Sequence, residues 1–123
     1  MITFAGKVKV DGVLYTVQTP AMNGSAITST TPVAIIAATT GKRMLLLGYA
    51  LQQPTAAEAG TLTVQDDTGT PVPLFKVGFD GVLNIPPAAF PVPIPVASGK
   101  AVNGKSSGSV GDAIFTLFYA LED

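Results

Sequence analysis

Glycine and proline interrupt this chain so often that little room is left for a helix. Among 123 residues there are 13 glycines and 10 prolines, and no stretch keeps a helical apolar period for a useful length. Short runs rich in Val, Ile, Leu and Thr alternate instead with turn residues, at spacings of roughly 8–12 residues. This pattern predicts an all-β fold, a sandwich or closed barrel of about eight or nine strands.

Two Asp-Gly dipeptides mark predicted hairpins, because both positions tolerate the positive φ of a tight two-residue turn. They are Asp11-Gly12 and Asp80-Gly81. Before the first dipeptide, the lysines and valines of "KVKV" (residues 7–10) alternate, which predicts a strand with one solvent-exposed face and one apolar face. Further strands are predicted in four apolar or alternating runs, Val33–Ala38, Met44–Gln52, Thr61–Asp67 and Ala113–Leu121.

Three polar or small-residue stretches are interpreted as connections. "PAMNGSAITSTTP" (residues 20–32) is predicted to be a linker or extended arm, and the Gly/Ser-rich "NGKSSGSVGD" (residues 103–112) leads into the last strand. "TAAEAG" (residues 55–60) is predicted to form a single helical turn or a loop. The chain is therefore divided into an N-terminal hairpin and arm (residues 1–31) and a β-sandwich domain (residues 32–123).

Five prolines fall in the short segment "NIPPAAFPVPIPVASGK" (residues 84–100), and three of them alternate with aliphatic residues. Pro91, Pro93 and Pro95 remove backbone donors from one side of an extended strand only, because N–H groups of residues i and i+2 point the same way. Such a strand pairs with one neighbour and resists a second, which predicts a protected sheet edge. Phe90, Val92, Ile94 and Val96 are predicted to share one apolar face. The alternative is a polyproline ligand for an aromatic groove, but bulky aliphatic neighbours argue against it.

The chain carries few charges for a protein that would be soluble alone. Charged residues make up 12% of the sequence, about half of the usual share of roughly 25%. The uncharged runs contain prolines and many polar residues, so they do not predict a membrane-spanning helix, and the start lacks the pattern of a signal peptide. Low charge therefore predicts burial against other chains. The net charge of −1 without a basic stripe argues against nucleic acid as a partner.

The usual parts of an enzyme are missing from the composition. There is no histidine and no cysteine, which removes the commonest general base, the commonest metal ligand, the thiolate nucleophile and sulfur ligation of a metal. No cofactor, catalytic residue or metal site is predicted. Five acidic residues lie in predicted loops and could supply oxygen ligands for Ca²⁺: Asp66, Asp67, Asp80, Asp112 and Glu58. Turn aspartates more often bond their own backbone, however. The sequence predicts a protein that is not an enzyme.

The segment from Val33 to Leu121 resembles small jelly-roll proteins of tailed bacteriophage particles. The similarity lies in an apolar strand that runs through a Gly-Lys-Arg turn into a Leu-rich strand, "PVAIIAATTGKRMLLLGYALQ". A "GTLTV" strand, a "SGKA" strand and the closing strand "AIFTLFYAL" follow in order. The resemblance is one of pattern over 89 residues, with no single diagnostic motif. It implies an antiparallel jelly-roll sandwich of about eight strands.

The resemblance also implies a function in the virion. Members of this type are head decoration or cement proteins, commonly homotrimers that bind the major capsid protein on the outside of a phage head; such a protein is made in the cytoplasm of the bacterial host. For capsid contact the candidates are Phe4, Lys7 and Lys9, although the two lysines equally suit a solvated strand face. For subunit packing the predicted residues are Leu45, Leu47, Val92, Ile94, Phe115 and Phe118.

A second function stays open, a receptor- or carbohydrate-binding module of a phage tail fibre or baseplate. It predicts a shallow polar site on loops such as Asp66–Thr70 or Asn103–Ser109, aided by Ca²⁺.

Overall fold

The computed structural model describes residues 6–54, 59–109 and 111–123. In these ranges the chain forms ten β-strands and no helix, rather than the predicted eight or so strands. None of the described residues belongs to a helix that could cross a membrane. The strands are β1 (Lys7–Val10), β2 (Val13–Val17), β3 (Ala21–Met22), β4 (Val33–Ile36), β5 (Met44–Gln53), β6 (Ala59–Asp66), β7 (Pro73–Asp80), β8 (Leu83–Val96), β9 (Val102–Ser106) and β10 (Ile114–Glu122).

The strands form two antiparallel sheets in a sandwich-like arrangement, which confirms the all-β prediction. The six-stranded sheet has the order β1-β2-β10-β5-β8, and β3 pairs with the part of β10 that β2 leaves free. The four-stranded sheet has the order β4-β9-β6-β7. Strands that are distant in the chain are therefore neighbours in both sheets.

The main core lies between the two sheets. Its largest completely buried ring is Phe115 on β10, which faces Tyr49 of β5 with ring centroids 6.1 Å apart. Phe75 of β7 and Phe90 of β8 complete an aromatic cluster whose other centroid distances are 5.0 to 6.0 Å. Because these rings come from both sheets, their contacts hold the two layers together.

A single β-bulge in β5 changes which residues point into this core. Before the bulge Met44 and Leu46 face inward, and after it Tyr49 and Leu51 do. The register with β10 shifts between Phe118 and Tyr119, so β5 carries one extra residue at this point. The strand is buried from Met44 to Gly48, as expected for a continuous apolar run whose two faces are both covered.

A second, smaller core covers part of the outer face of the six-stranded sheet. The β1-β2 hairpin turns at Asp11-Gly12 with positive φ at both residues, as predicted. Its valines pack with Tyr15 against the outward side chains of β5 and β10, which are Leu45, Leu47, Phe118 and Ala120. The lysines of "KVKV" point the other way and are exposed, which confirms the predicted two-faced strand.

The proline-rich strand β8 is the edge of the six-stranded sheet, as predicted. Its pairing with β5 shifts register twice, and both shifts fall at prolines: Pro86-Pro87, and the segment Phe90–Pro93. Because proline lacks an N–H, it suits bulges where the ladder is interrupted. Of the predicted apolar face, Phe90, Ile94 and Val96 pack in the main core, whereas Val92, inside the second irregularity, is 73% exposed.

Three connections differ from the sequence-based predictions. Asp80-Gly81 joins β7 to β8, which lie in different sheets, so it forms a corner and not a hairpin. Part of the predicted loop 103–112 is β9, the strand between β4 and β6. The predicted helical turn falls on residues 55–60, of which 55–58 lie outside the described residues.

The stretch interpreted as a linker or arm is bound along the body of the protein. Ile27 exchanges two backbone hydrogen bonds with Ala113 and is completely buried. Farther along, the N–H of Ser106 donates to the carbonyl oxygen of Ser29 at 2.9 Å. These contacts connect the segment to both sheets.

Candidate functional site

In the described part of the chain, the outer face of the six-stranded sheet is covered at one end only, and its open part forms the candidate site. The β1-β2 hairpin covers the end of the face around Leu45 and Ala120. Beyond Phe118 the face is open and forms a groove of about 430 Å³. One wall is β3, and the opposite wall is the first proline bulge of β8, at Pro86 and Pro87.

Strand register explains why side chains from four strands line the groove. Met22, Thr116 and Ala50 are directly opposite one another across β3, β10 and β5. Directly opposed residues of antiparallel strands point to the same face. The next row contains Ile114, Gln52 and Asn84 across β10, β5 and β8.

None of the described residues that line the groove is charged. Its polar groups are the amides of Gln52 and Asn84, which are exposed, and the hydroxyl of Thr116. Met22 at the rim is 58% exposed. An open, uncharged, mainly apolar surface of this kind suits the contact with another protein surface or a neutral ligand better than it suits an ionic substrate.

Asn23 fixes β3, and therefore the groove wall, to β10. Its Oδ1 accepts a hydrogen bond from the N–H of Phe115 at 2.7 Å, and its Nδ2 donates to the carbonyl oxygens of Ser25 and Ala113 at 2.7 and 3.1 Å. The side chain is buried, so these bonds replace a strand ladder where β3 ends.

Replacement of Asn23 by Ala is expected to destabilise the fold by about 1–3 kcal/mol, because the Phe115 N–H is left buried without an acceptor. Hydrogen exchange should show the Phe115 amide losing protection more than the amides of β6. The control is Asn23→Asp, which retains the acceptor. Unchanged protection at Phe115 in Asn23→Ala would contradict this role.

Two ion pairs join the end of β10 to its surroundings. The ammonium of Lys7 lies 2.6 Å from the carboxylate of Asp123, which also accepts from the hydroxyl of Thr16. The guanidinium of Arg43 lies 2.9 Å from Glu122. The hydrogen bond from Lys7 lowers the pKa of Asp123, and that from Arg43 lowers the pKa of Glu122. All four side chains are at least partly in contact with solvent, so each pair contributes little to stability.

Asp66 organises the connection between β6 and β7. Its Oδ1 accepts hydrogen bonds from the N–H groups of Val72 and Thr68, at 3.0 and 3.2 Å, and from the Thr68 hydroxyl at 2.9 Å. The bond from the Val72 N–H is the main reason why the pKa of Asp66 is lowered. Asp67 accepts from the N–H of Ala101 at 2.9 Å. Both aspartates therefore bind backbone, and no group of three acidic residues that could hold a metal ion occurs in the described ranges.

Acidification is expected to weaken the fold through these carboxylates. Because the pKa of Asp66 is lower in the folded state, its contribution is complete above its unfolded value of about 3.9 and is lost as the pH falls through the folded value. Urea unfolding at a series of pH values should show stability falling below about pH 4, with a shallower fall in Asp66→Asn. An identical pH dependence in the wild type and in Asp66→Asn would contradict the assignment.

The residues predicted for subunit packing occupy four environments. Phe115 lies completely buried in the main core, and Leu45, Leu47 and Phe118 are buried under the hairpin. Ile94 is half-buried opposite Leu46. Among the six, only Val92 presents most of its side chain to solvent.

The residues predicted for capsid contact are only partly described. Lys7 and Lys9 are exposed on β1, and Lys7 is paired with Asp123. Phe4 lies outside the described residues.

Sequence reasoning missed the groove residues, and for a clear reason. Met22, Gln52, Asn84 and Thr116 come from four separate strands, and none belongs to a motif. Their common face depends on the bulges in β5 and β8, which shift the inward and outward positions. The pair Pro86-Pro87 was the available signal, because adjacent prolines in a strand indicate a bulge.

Comparison with known proteins gives no relative: no family model, no curated protein and no solved structure matches this chain.

Proposed function

We propose that this protein is a structural component of a virus particle, a homotrimeric decoration (cement) protein on the outside of a phage head. Its partner is the major capsid protein, and it is made in the cytoplasm of the bacterial host. The sequence pattern from Val33 to Leu121 and the antiparallel sandwich support the proposal, and a jelly-roll connection of the strands is part of it.

The observation that carries the proposal is the open, uncharged half of the six-stranded sheet. A chain with 12% charged residues leaves a groove of about 430 Å³ lined by apolar and neutral side chains. In a trimer this surface is covered by the next subunit, which explains why it needs no charge.

The mechanism is stabilisation by binding. A trimer that binds the expanded head but not its precursor stabilises the expanded state by RT ln(1 + [L]/Kd), about 2.7 kcal/mol per site when the free concentration is one hundred times Kd. No catalytic group is needed for this function, and the sequence offers neither histidine nor cysteine.

Substitution of Met22 by Asp tests the subunit contact. A carboxylate in an apolar interface loses its hydration, so the trimer is expected to dissociate while the fold remains intact. Light scattering measures the mass and circular dichroism the fold. The matched control is Val72→Asp, since Val72 is similarly exposed, at 53% against 58%, but lies outside the groove. Equal behaviour of the two variants would exclude the groove as the interface.

Capsid binding has its own test. The wild-type protein should cosediment with expanded heads of the phage that encodes it. Heads that carry the protein should resist heat or chelators better than bare heads. Binding to neither expanded nor unexpanded heads would exclude the decoration function.

The alternative, a carbohydrate-binding module of a tail fibre or baseplate, is favoured by the polar groups of the same groove. Gln52, Asn84 and Thr116 offer neutral donors and acceptors beside apolar surface, which suits sugar hydroxyl groups. The loops that the sequence suggested for this function fit it less well, because Asn103–Ser106 belongs to β9 and the Asp66 carboxylate already accepts hydrogen bonds from its own turn. Glycan-array binding that Gln52→Ala abolishes would favour this alternative.

A further inference from the structure

Strand β7 (Pro73–Asp80) forms an edge of the four-stranded sheet, and among the described residues nothing pairs with its outer side. Its inner side pairs with β6. The neighbouring edge, β8, is interrupted by prolines at both of its bulges. In β7 the single proline is the first residue, Pro73. The other edge strands, β1 and β4, are four residues each, whereas β7 has eight.

The direction of its backbone groups follows from the pairing of β6. Thr61 of β6 accepts a hydrogen bond from the N–H of Ser107 at 2.9 Å, so its backbone faces the β9 side. Gly78 lies opposite Thr61 on β7. In antiparallel pairs, hydrogen-bonded and non-hydrogen-bonded positions alternate. The N–H and C=O groups of Gly78, and of Lys76 and Asp80 two residues to either side, therefore point to the open edge.

Gly78 has no role within the protein that requires glycine. Its φ is not positive, and a Cβ built on it meets nothing within 4 Å. The register between β6 and β7 is regular on both sides of it. Glycine weakens a strand interior and is found where another backbone approaches closely.

We propose that β7 pairs antiparallel with β7 of a second copy of this chain, about a twofold axis at Gly78. The outward groups of the two Gly78 residues then bond each other, and Lys76 of each copy lies opposite Asp80 of the other. Both charged side chains are exposed, and neither has an ion-pair partner among the described residues. The register thus places opposite charges together on both sides of the axis, and the two four-stranded sheets become continuous.

This contact is independent of the trimer contact and adds to it. A twofold contact does not close a ring of three, so it links one trimer to another, or one monomer to another if the trimer does not form. On a shell, neighbouring trimers related by local twofold axes would be connected into a network through β7.

Charge reversal tests the register. Lys76→Glu places two carboxylates opposite each other at both ends of the contact, so the dissociation constant of the pairing step should rise about tenfold or more. The double variant Lys76→Asp with Asp80→Lys exchanges the charges and should restore it to within about threefold of the wild type. Sedimentation equilibrium over a dilution series measures a doubling step, from monomer to dimer or from trimer to hexamer. Lys9→Glu, on the exposed edge strand β1, is the control and should leave the step unchanged.

Hydrogen exchange provides the second readout. At high protein concentration the amides of Lys76, Gly78 and Asp80 should become protected, while those of Val77 and Phe79, which bond to β6, should be protected at every concentration. The proposal would be overturned if no doubling step occurred, or if the doubling step were insensitive to Lys76→Glu. Stronger association in Lys76→Thr would also overturn it, because Lys76 would then prevent pairing at this edge. If the species that doubles is not a trimer, the proposed function is refuted, but this inference still holds.

Discussion

Replacement of Phe115 by Ala should lower the free energy of unfolding by about 3–5 kcal/mol, more than any other single substitution proposed for this protein. Phe115 is completely buried and lies in an aromatic cluster that joins the two sheets. A domain of this size has a total stability of about 5–15 kcal/mol, so the variant should be marginally folded. Urea unfolding followed by circular dichroism measures the loss.

The control for this substitution is Phe115→Leu, which retains most of the apolar volume and should cost less than half as much. The experiment also separates the core position of Phe115 from its sequence-based assignment to a subunit interface. A variant Phe115→Ala that keeps its stability but loses its oligomeric mass would support the interface and contradict the core position.

Gly48→Ala should destabilise the protein by about 1–3 kcal/mol, because there is no room for a side chain where β5 passes β8. A Cβ at this position would lie 2.3 Å from the carbonyl oxygen of Ala88 and 3.0 Å from the Cα of Ala89. Both contacts are backbone atoms, so relief requires the two strands to move apart. Thermal or urea unfolding of the variant gives the size of the effect.

Gly78→Ala is the matched control for Gly48→Ala, since both glycines lie within strands but only Gly78 has open space where a Cβ would be placed. At low protein concentration this control should be neutral or stabilising by up to about 1 kcal/mol. Equal destabilisation in the two variants would show that loss of glycine itself, and not the approach of β8 to β5, governs the effect.

The sequence correctly predicted those strands whose apolar pattern and flanking turn residues lie within one short segment of the chain. The long apolar run that became β5 and the last strand, β10, were predicted to within a residue or two at each end. The first hairpin followed from Asp11-Gly12, and the edge position of β8 followed from its prolines. Each of these features depends on residues that are near one another in the chain.

Features that depend on distant contacts were missed. Strand β9 contains Asn103, Gly104 and Lys105, which favour turns, but Gly104 lies directly under Ile27 and Ile35, where a Cβ would come within 2.7 Å of the Ile27 side chain. Tertiary contact therefore outweighs local preference there. Asp80-Gly81 looks like a hairpin signal, yet the flanking strands enter different sheets.

The candidate site could not be read from the sequence for a related reason. A one-residue bulge exchanges the two faces of a strand, so the groove residues are only assigned to one surface once the register is known. Burial of Leu45 and Leu47 on the outer face depends in the same way on the hairpin, which covers them from the other end of the chain.

The solution mass at low protein concentration tests the central claim most directly, because the proposed function requires a self-associated chain. Light scattering on the Lys76→Glu variant, in which the twofold pairing is suppressed, should give a stable species of three times the 12.5 kDa chain mass. A monodisperse monomer of 12.5 kDa over the whole dilution series would contradict the proposed trimer, because the uncharged groove would then be open to solvent in the functional protein.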